Sequence, residues 1–221
     1  MNKKLIKYLE ENKVKYELLE HKVVYTASDV AATMHVKLSE IAKSLLVKFN
    51  KPFEDGRKPY ALVIVAADKN IDFKKLSKVV SDWAVRLNRE LRLKRPEKGK
   101  KSVVDIYNKI VKVTLPKEKD MKDKFKTTAG PMSAFGSFYK LPVFVDKSLA
   151  KKEKAIFSVG SFTESVKMPV VGFIKLEKVM TGAFAVAKGK PAQKPKRKVS
   201  LNSDRQVFRG RNKKHQIKKS R

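Results

Sequence analysis

The stretch Tyr60-Ala-Leu-Val-Ile-Val-Ala-Ala67 is eight apolar residues without interruption, in a chain of 221 residues of which 34% are charged. Such a run has no polar face to turn toward water. A strand made from it must be covered on both sides, and a sheet sandwiched between helices offers that cover. The run therefore predicts a buried central strand over Tyr60 to Ala66. It is far short of the ~20 residues a membrane-spanning helix needs. The first dozen residues carry charges where a signal peptide would have an apolar core. The expectation is a soluble, cytoplasmic protein with no membrane segment.

The flanking sequence supplies partners for that strand. Leu5, Tyr8 and Leu9 share a helical face over 3 to 12, and Val14, Tyr16 and Leu18 then alternate as in a strand. Thr26-Ala-Ser-Asp29 has the spacing of a capping box and predicts a short helix over about 27 to 34. Ile41 to Phe49 is a strand that pairs with Tyr60 to Ala66 as a hairpin. From Asp72 as cap, Phe73, Leu76, Val80, Trp83, Ala84 and Leu87 recur at helical spacing, with Trp83 expected in the core. Asn88 to Lys126 is a lysine-rich stretch, read as an insertion with a helical patch around Val103 to Val111. Further strands are expected at Leu141 to Val145, with Pro142 at the start or on an edge, and at Ala155 to Val159 and Ser165 to Met168. Helices interleaved with roughly five short strands predict an α/β (α+β) fold. It is read as a single domain over 1–187, a mixed central sheet surrounded by helices.

Charge constrains the partner. Lys+Arg 53 against Asp+Glu 22 gives a formal net charge of +31, about four times the upper end of the roughly 2 to 8 usual for a small domain. Such a surface seeks a polyanion, nucleic acid first and an anionic membrane surface second. Residues 188–221 hold 14 Lys/Arg against the single acid Asp204, with Pro191 and Pro195 near the start. They read as a disordered basic tail. Residues 1–187 keep 39 Lys/Arg and 21 acids, so the domain is basic in its own right. Lys194, Lys196, Arg197, Lys198, Arg209, Arg211, Lys213 and Lys214 are the candidate phosphate contacts of the tail. Each neutralised phosphate releases counterions, so RNA affinity should fall steeply with salt. The bland alternative is a solubilising tail, which mixed charges would serve as well. The absence of cysteine removes disulfides, thiolate zinc sites and cysteine nucleophiles, and leaves His21, His35 and His215 as nitrogen ligands. No metal and no cofactor are expected.

Two features stand out as chemistry. In Ile41-Ala-Lys-Ser-Leu-Leu-Val-Lys-Phe49 the strand period puts Lys43 on the face of Ile41, Leu45, Val47 and Phe49. A lysine there snorkels out, pairs with an acid, or lines a cavity that receives a polar ligand. Lys48 lies on the other face near the strand end and needs no ligand. Ala129-Gly-Pro-Met-Ser-Ala-Phe-Gly-Ser137 is a small, glycine-bounded loop in which consecutive N–H groups can face an oxygen, or which is simply a turn. Neither a Walker loop nor a G-x-G-x-x-G, G-x-S-x-G or H-E-x-x-H motif is present. His21 is either a general base or a packing residue at a strand-to-loop junction. Val159-Gly160-Ser161 is either a strand end or part of a site.

Taken in order, Glu20-His21, Tyr25-Thr26-Ala-Ser-Asp29, Glu40-Ile-Ala-Lys43-Ser44-Leu-Leu-Val47, Gly130 to Gly136, Leu141-Pro-Val-Phe-Val-Asp146, and Val159-Gly160 with Ser165-Val-Lys-Met168 resemble the YbaK/ProX family. These are freestanding aminoacyl-tRNA deacylases related to the editing insertion domain of bacterial prolyl-tRNA synthetases. The resemblance covers roughly residues 3 to 178. It implies a mixed α/β fold and hydrolysis of the ester joining a wrong amino acid to tRNA, typically the proline tRNA. It implies that Lys43 is the key pocket residue, with Gly130 and Gly136 giving backbone contacts to the 3′-terminal aminoacyl-adenosine. It places His21, Thr26, Ser44, Ser133, Gly160 and Ser165 around the substrate. The family's loop usually carries a proline where this chain has Ala134. Asn follows the lysine in alanine-specific members and Thr in cysteine-specific ones, so Ser44 resembles the hydroxyl type.

The expected function is therefore a trans-editing hydrolase acting on a mischarged aminoacyl-tRNA. Lys43 and the loop would position the ester while charge develops on its oxygen, without a dedicated base. Its partners would be tRNA and prolyl-tRNA synthetase. The alternatives are a non-catalytic tRNA- or synthetase-binding relative and a general RNA- or ribosome-binding protein. The last is weakened by the lack of an aromatic-rich RNA-recognition signature.

Overall fold

The computed structural model describes residues 3–94, 105–125 and 132–188. The chain divides between Lys188 and Gly189. The tail candidates from Lys194 to Lys214, and Gly130 of the loop, lie outside the described residues.

Helix α1 (Lys3–Glu11) buries Leu5 and Leu9 and leads to the edge strand β1 (Glu17–Glu20). Helix α2 (Ala27–Thr33) starts on the expected box: Thr26 Oγ1 accepts from Asp29 N, and the Asp29 carboxylate takes the Thr26 backbone N–H. Strands β2 (Ile41–Phe49) and β3 (Tyr60–Ala66) then form the expected antiparallel hairpin. After β4 (Lys69–Ile71), Asp72 Oδ1 accepts from Lys74 N and Lys75 N and opens α3 (Phe73–Lys94). There follow β5 (Val113–Thr114), α4 (Glu118–Phe125), a 3-10 turn (Gly136–Tyr139), β6 (Val143–Asp146), α5 (Lys147–Ala150), β7 (Lys154–Ser158), β8 (Glu164–Pro169), α6 (Val170–Leu176), β9 (Met180–Gly182) and β10 (Ala185–Ala187).

The main sheet runs β1-β8-β7-β2-β3-β6-β9, with β5 paired to the end of β2; β10 and β4 form a separate ribbon. It is mixed: β2 is parallel to β7, and β6 is parallel to both β3 and β9, whereas β1·β8, β7·β8 and β2·β3 are antiparallel. No residue of β3 is more than 1% exposed. Leu62 and Ile64 belong to a core shared with Leu5 and Leu9 of α1, Leu149 of α5 and Phe173 of α6. Ala61, Val63 and Val65 face Leu76, Val80 and Ala84 of α3. The mixed α/β sheet covered on both sides is as expected. Trp83 lies at the margin of that core, half-buried, with Nε1 donating to Thr181 O at 2.9 Å.

The lysine-rich stretch departs from the sequence reading. Asn88 to Lys94 completes α3, and the described part of the expected helical patch, 105–111, is not helical. Polar residues on one face of α3 hold it there. Asn88 accepts from Ile106 N and Tyr107 N and donates to Tyr107 O, while Ser81 accepts from Ile110 N and donates to Ile110 O. A backbone whose bonds go to another element's side chains cannot also close helical ones. Lys48 behaves as expected for the opposite face: its Nζ lies 3.5 Å from Asp120 of α4, which docks beside Tyr60 through Lys124.

The buried Asp146 ties the end of β6 to both α5 and β10. Its carboxylate caps α5 through Ser148 N and accepts from Phe184 N and Ala185 N, each at 2.8 Å. Burial, the largest influence, pushes its pKa up. The Ser148 hydroxyl and the backbone N–H groups of Ala185, Phe184 and Ser148 outweigh it and hold the group below its ordinary value. Because the folded-state pKa is depressed, the stability this gives is complete above the ordinary carboxylate pKa and is lost as pH falls through the folded value. Asp146→Asn is expected to cost on the order of 2–4 kcal/mol at pH 7. Urea unfolding should show the difference from wild type shrinking in that acidic window.

Candidate active site

Among the described residues one edge of β2 is left unpaired in its middle, and a cavity lies beside it. Strand β7 pairs with β2 only at Ile41 and Ala42, and β5 only at Lys48 and Phe49. Ile41 O accepts from Ala67 N at 2.9 Å, and Phe49 N donates to Pro59 O at 2.9 Å, so the odd-numbered residues of β2 aim their main-chain groups at the β3 side. The even-numbered ones face the other edge. Ala42 and Lys48 find β7 and β5 on that edge, whereas Ser44 and Leu46 have no strand partner there among the described residues. Beside this open edge lies a cavity of about 290 Å³ walled by β2, the start of α2, the ends of β7 and β8, and Met132. It falls just below the roughly 300–1,000 Å³ typical of ligand pockets.

Lys43 and Ser44 enter the cavity wall from opposite faces of the strand. Lys43 is half-buried and donates from Nζ to Lys69 O at 2.9 Å, which uses one of the ammonium's three donors. Burial pushes its pKa down, Lys188 pushes it the same way, and Asp68 partly offsets both. Ser44 Oγ is buried and has no hydrogen-bond partner among the described residues. A buried hydroxyl without a partner costs stability unless a ligand satisfies it. The sequence placed Lys43 on an apolar face; it carried no sign that the neighbouring hydroxyl would be left open.

Four further candidates reach the same cavity or its rim. His21 and Ser165 line it and bond to each other, Nε2 to Oγ at 3.0 Å. Thr26 also lines it, but its hydroxyl is engaged by Asp29 in the helix cap. Gly160, at φ 88, makes the turn after β7 and donates to Ser158 Oγ, beside the lining residue Ser161. Positive φ of this kind favours glycine.

The described loop candidates, Ser133 and Gly136, sit elsewhere. Ser133 is buried and not among the lining residues; its Oγ accepts from Phe135 N. Gly136 does not line the cavity either. A Cβ there would come within 2.4 Å of Val143 Cγ2 and 2.7 Å of Leu141 O, so the glycine serves close packing of the 3-10 turn against β6. The loop still reaches the site through Met132, and Ala134 N donates to Ser158 O at 2.9 Å. Tyr25 and Phe162, whose rings lie 5.0 Å apart, are lining residues that the sequence reading did not single out as site residues. Phe162 sits in a turn with no periodicity to mark it.

A mixed α/β domain here brings a half-buried lysine and a histidine–serine pair to one small cavity, a candidate site for a polar ligand. The family model for the aminoacyl-tRNA editing domain matches residues 21–99 and 101–176. The chain belongs to this family, the YbaK-like group that its motifs resemble. Among solved structures, the hypothetical protein APE2540 is similar over 83% of this chain and 100% of its own, with TM-score 0.61 and 15% identity. A candidate trans-editing enzyme for prolyl-tRNA synthetase is similar over 84% and 95%, with TM-score 0.58 and 14% identity. Identities this low speak for the fold. No curated protein matches the sequence significantly. Among the described residues there is no His/Asp/Glu group that could hold a metal, and no helix long and apolar enough to cross a membrane.

Removing the open hydroxyl should stabilise the free protein. Ser44→Ala is expected to raise the unfolding free energy by about 1 kcal/mol, the reverse of an ordinary core truncation. A thermal melt that fell instead would mean that the hydroxyl is already satisfied.

Proposed function

We propose that this protein is a trans-editing hydrolase that removes a wrongly attached amino acid from tRNA, with a mischarged proline tRNA as substrate. The observation that carries the reading is the joint presence of Lys43 and the open edge at Ser44 in one cavity. Aminoacyl esters present a carbonyl oxygen that gains negative charge on attack. Donors already held in place and partly shielded from water stabilise that charge best. Two remaining ammonium hydrogens of Lys43, the Ser44 hydroxyl and the β2 main-chain N–H groups that no described strand pairs are such donors. Membership in the editing-domain family supports the same chemistry.

The small cavity suits a small amino acid joined to a ribose. A methyl or hydroxyl difference in such a pocket is worth only about 1–3 kcal/mol, so selection among Ala, Ser, Cys and Thr rests on details around Ser44 and Ser165. The basic body and the tail residues Lys194, Lys196, Arg197, Lys198, Arg209, Arg211, Lys213 and Lys214 would hold the tRNA phosphates. Docking on prolyl-tRNA synthetase would deliver the substrate.

Single-turnover deacylation of proline tRNA charged separately with Ala, Cys, Ser, Thr and Pro tests the reading. One mischarged ester should be lost, and Lys43→Ala should slow that loss by about 100-fold or more. A chain ending at Ala187 should bind tRNA more weakly, with a shallower dependence of log affinity on log salt. Full activity of Lys43→Ala would overturn the assignment. Binding without loss of any ester would leave a non-catalytic tRNA-binding protein.

A further inference from the structure

The mouth of the cavity carries aromatic surface that the ester chemistry leaves unused. Tyr25 is 69% exposed, Val23 beside it is 57% exposed, and the Phe162 ring lies 5.0 Å from that of Tyr25. Tyr25 and Phe162 both line the cavity. Two backbone bonds tie their segments together: Val24 N donates to Phe162 O at 3.0 Å, and His21 N to Thr163 O at 2.9 Å. The contact of His21 Nε2 with Ser165 Oγ, at 3.0 Å, closes the same junction from the β8 side. The aromatic pair is thus held by the fold on both segments.

Tyr25 precedes the cap residue Thr26, and Val30 stands one turn into α2, which is the spacing of a hydrophobic staple. A staple alone would bury the ring against the helix. A ring this exposed leaves most of its surface for something that enters from solvent, and apolar surface beside a concave site marks where a ligand lies. Depth assigns the two ends of the site. Ser44 Oγ and Ser165 are buried and Lys43 is half-buried, so the inner end holds the polar groups that suit an ester, while Tyr25 stands in the water. A cavity of about 290 Å³ has room for an amino acid and a ribose. The purine joined to that ribose then lies outside, at the mouth. Base and 5′-phosphate both leave the ribose outward. The two rings bear no charge for the phosphate, and they match the flat, apolar face of the base. The net charge of +31 draws an RNA end to this surface in preference to an apolar peptide.

We infer that Tyr25 and Phe162 form the platform on which the base of the terminal nucleoside stacks; this rests on the deacylase reading above. Tyr25 gives its exposed face to the base, and Phe162, inclined at 56° to it, braces the ring. Every base has a π face, so the platform senses that a base is present more than which base it is. Its contribution is to affinity, and neither ring takes part in bond breaking or proton transfer.

The probes are a 3′-aminoacylamino-3′-deoxyadenosine, whose amide resists hydrolysis, and the same aminoacyl aminosugar without its base. The amino acid is the one whose ester wild type removes fastest, or alanine if none is removed. Affinities of full-length wild type, Tyr25→Ala, Tyr25→Trp and Phe162→Ala are measured by NMR titration. Tyr25→Ala should bind the nucleoside about tenfold more weakly, while Tyr25→Trp keeps the affinity and controls for misfolding. Removing the base should cost wild type the same factor and cost Tyr25→Ala nothing further. In single-turnover deacylation Tyr25→Ala should raise the half-saturating concentration by a like factor and leave the saturated rate within about threefold. Equal losses in wild type and Tyr25→Ala on removing the base overturn the inference, because additive losses mean that ring and base do not touch. So does a wild type that does not tell the two probes apart. Nucleoside affinity within about threefold of wild type in Tyr25→Ala, with Lys43-dependent hydrolysis intact, overturns it and leaves the deacylase reading standing. Coupling between ring and base in a protein that hydrolyses no charged tRNA would keep the platform and reject the deacylase.

Discussion

A strand whose seven side chains are all denied water must be covered twice, and here the two covers come from different parts of the chain. Helix α3 covers one face of β3, and α1, α5 and α6 cover the other. Fully burying a large aliphatic side chain is worth about 1.5–3 kcal/mol, so β3 fixes where these helices go. Its antiparallel partner β2 is placed by the same requirement. The strand that carries Lys43 and Ser44 is therefore held along its whole length on one side by the most buried element of the protein.

The other side of β2 is where the chemistry gathers. A continuous sheet would consume every main-chain group of that edge. Because β7 leaves after two residues and β5 arrives only at the end, the middle of this edge of β2 has no strand partner among the described residues. The histidine–serine pair comes from the neighbouring β1·β8 ribbon. The site is thus a flaw in the ladder bordered by two well-paired hairpins. Lys43, Ser44 and Ser165 sit on strands, whose positions are more sharply set than those of loops.

How much the sequence disclosed depends on how local each signal is. The β2 and β3 boundaries, the α2 cap and the α3 start depend on runs, spacing or a single capping residue, and all were legible. Lys43 was legible because a charge in apolar phase is a local contradiction. The course of residues 105–111 was not, since Asn88 and Ser81 take up their backbone bonds from another element. Nor was the open Ser44 hydroxyl, which depends on what packs over that face of β2 from distant parts of the chain. Gly136 is a case where the structure adds a packing role. Its surroundings show a close approach to β6, information that a glycine in a small-residue loop does not carry by itself.

The alternation along β2 sets two different protections within one strand. The amides of Lys43, Leu45 and Val47 point toward β3 and share the fate of the core, so their hydrogens exchange with solvent only when the domain opens broadly. Those of Ser44 and Leu46, one residue away on each side, have no such bond in the ladder. Amide exchange should therefore read as a fast-slow stripe along this strand in the free protein, and a bound ligand would erase the stripe at Ser44 without touching the slow residues. Occupancy of the site is written into the exchange pattern of a strand that does not have to move.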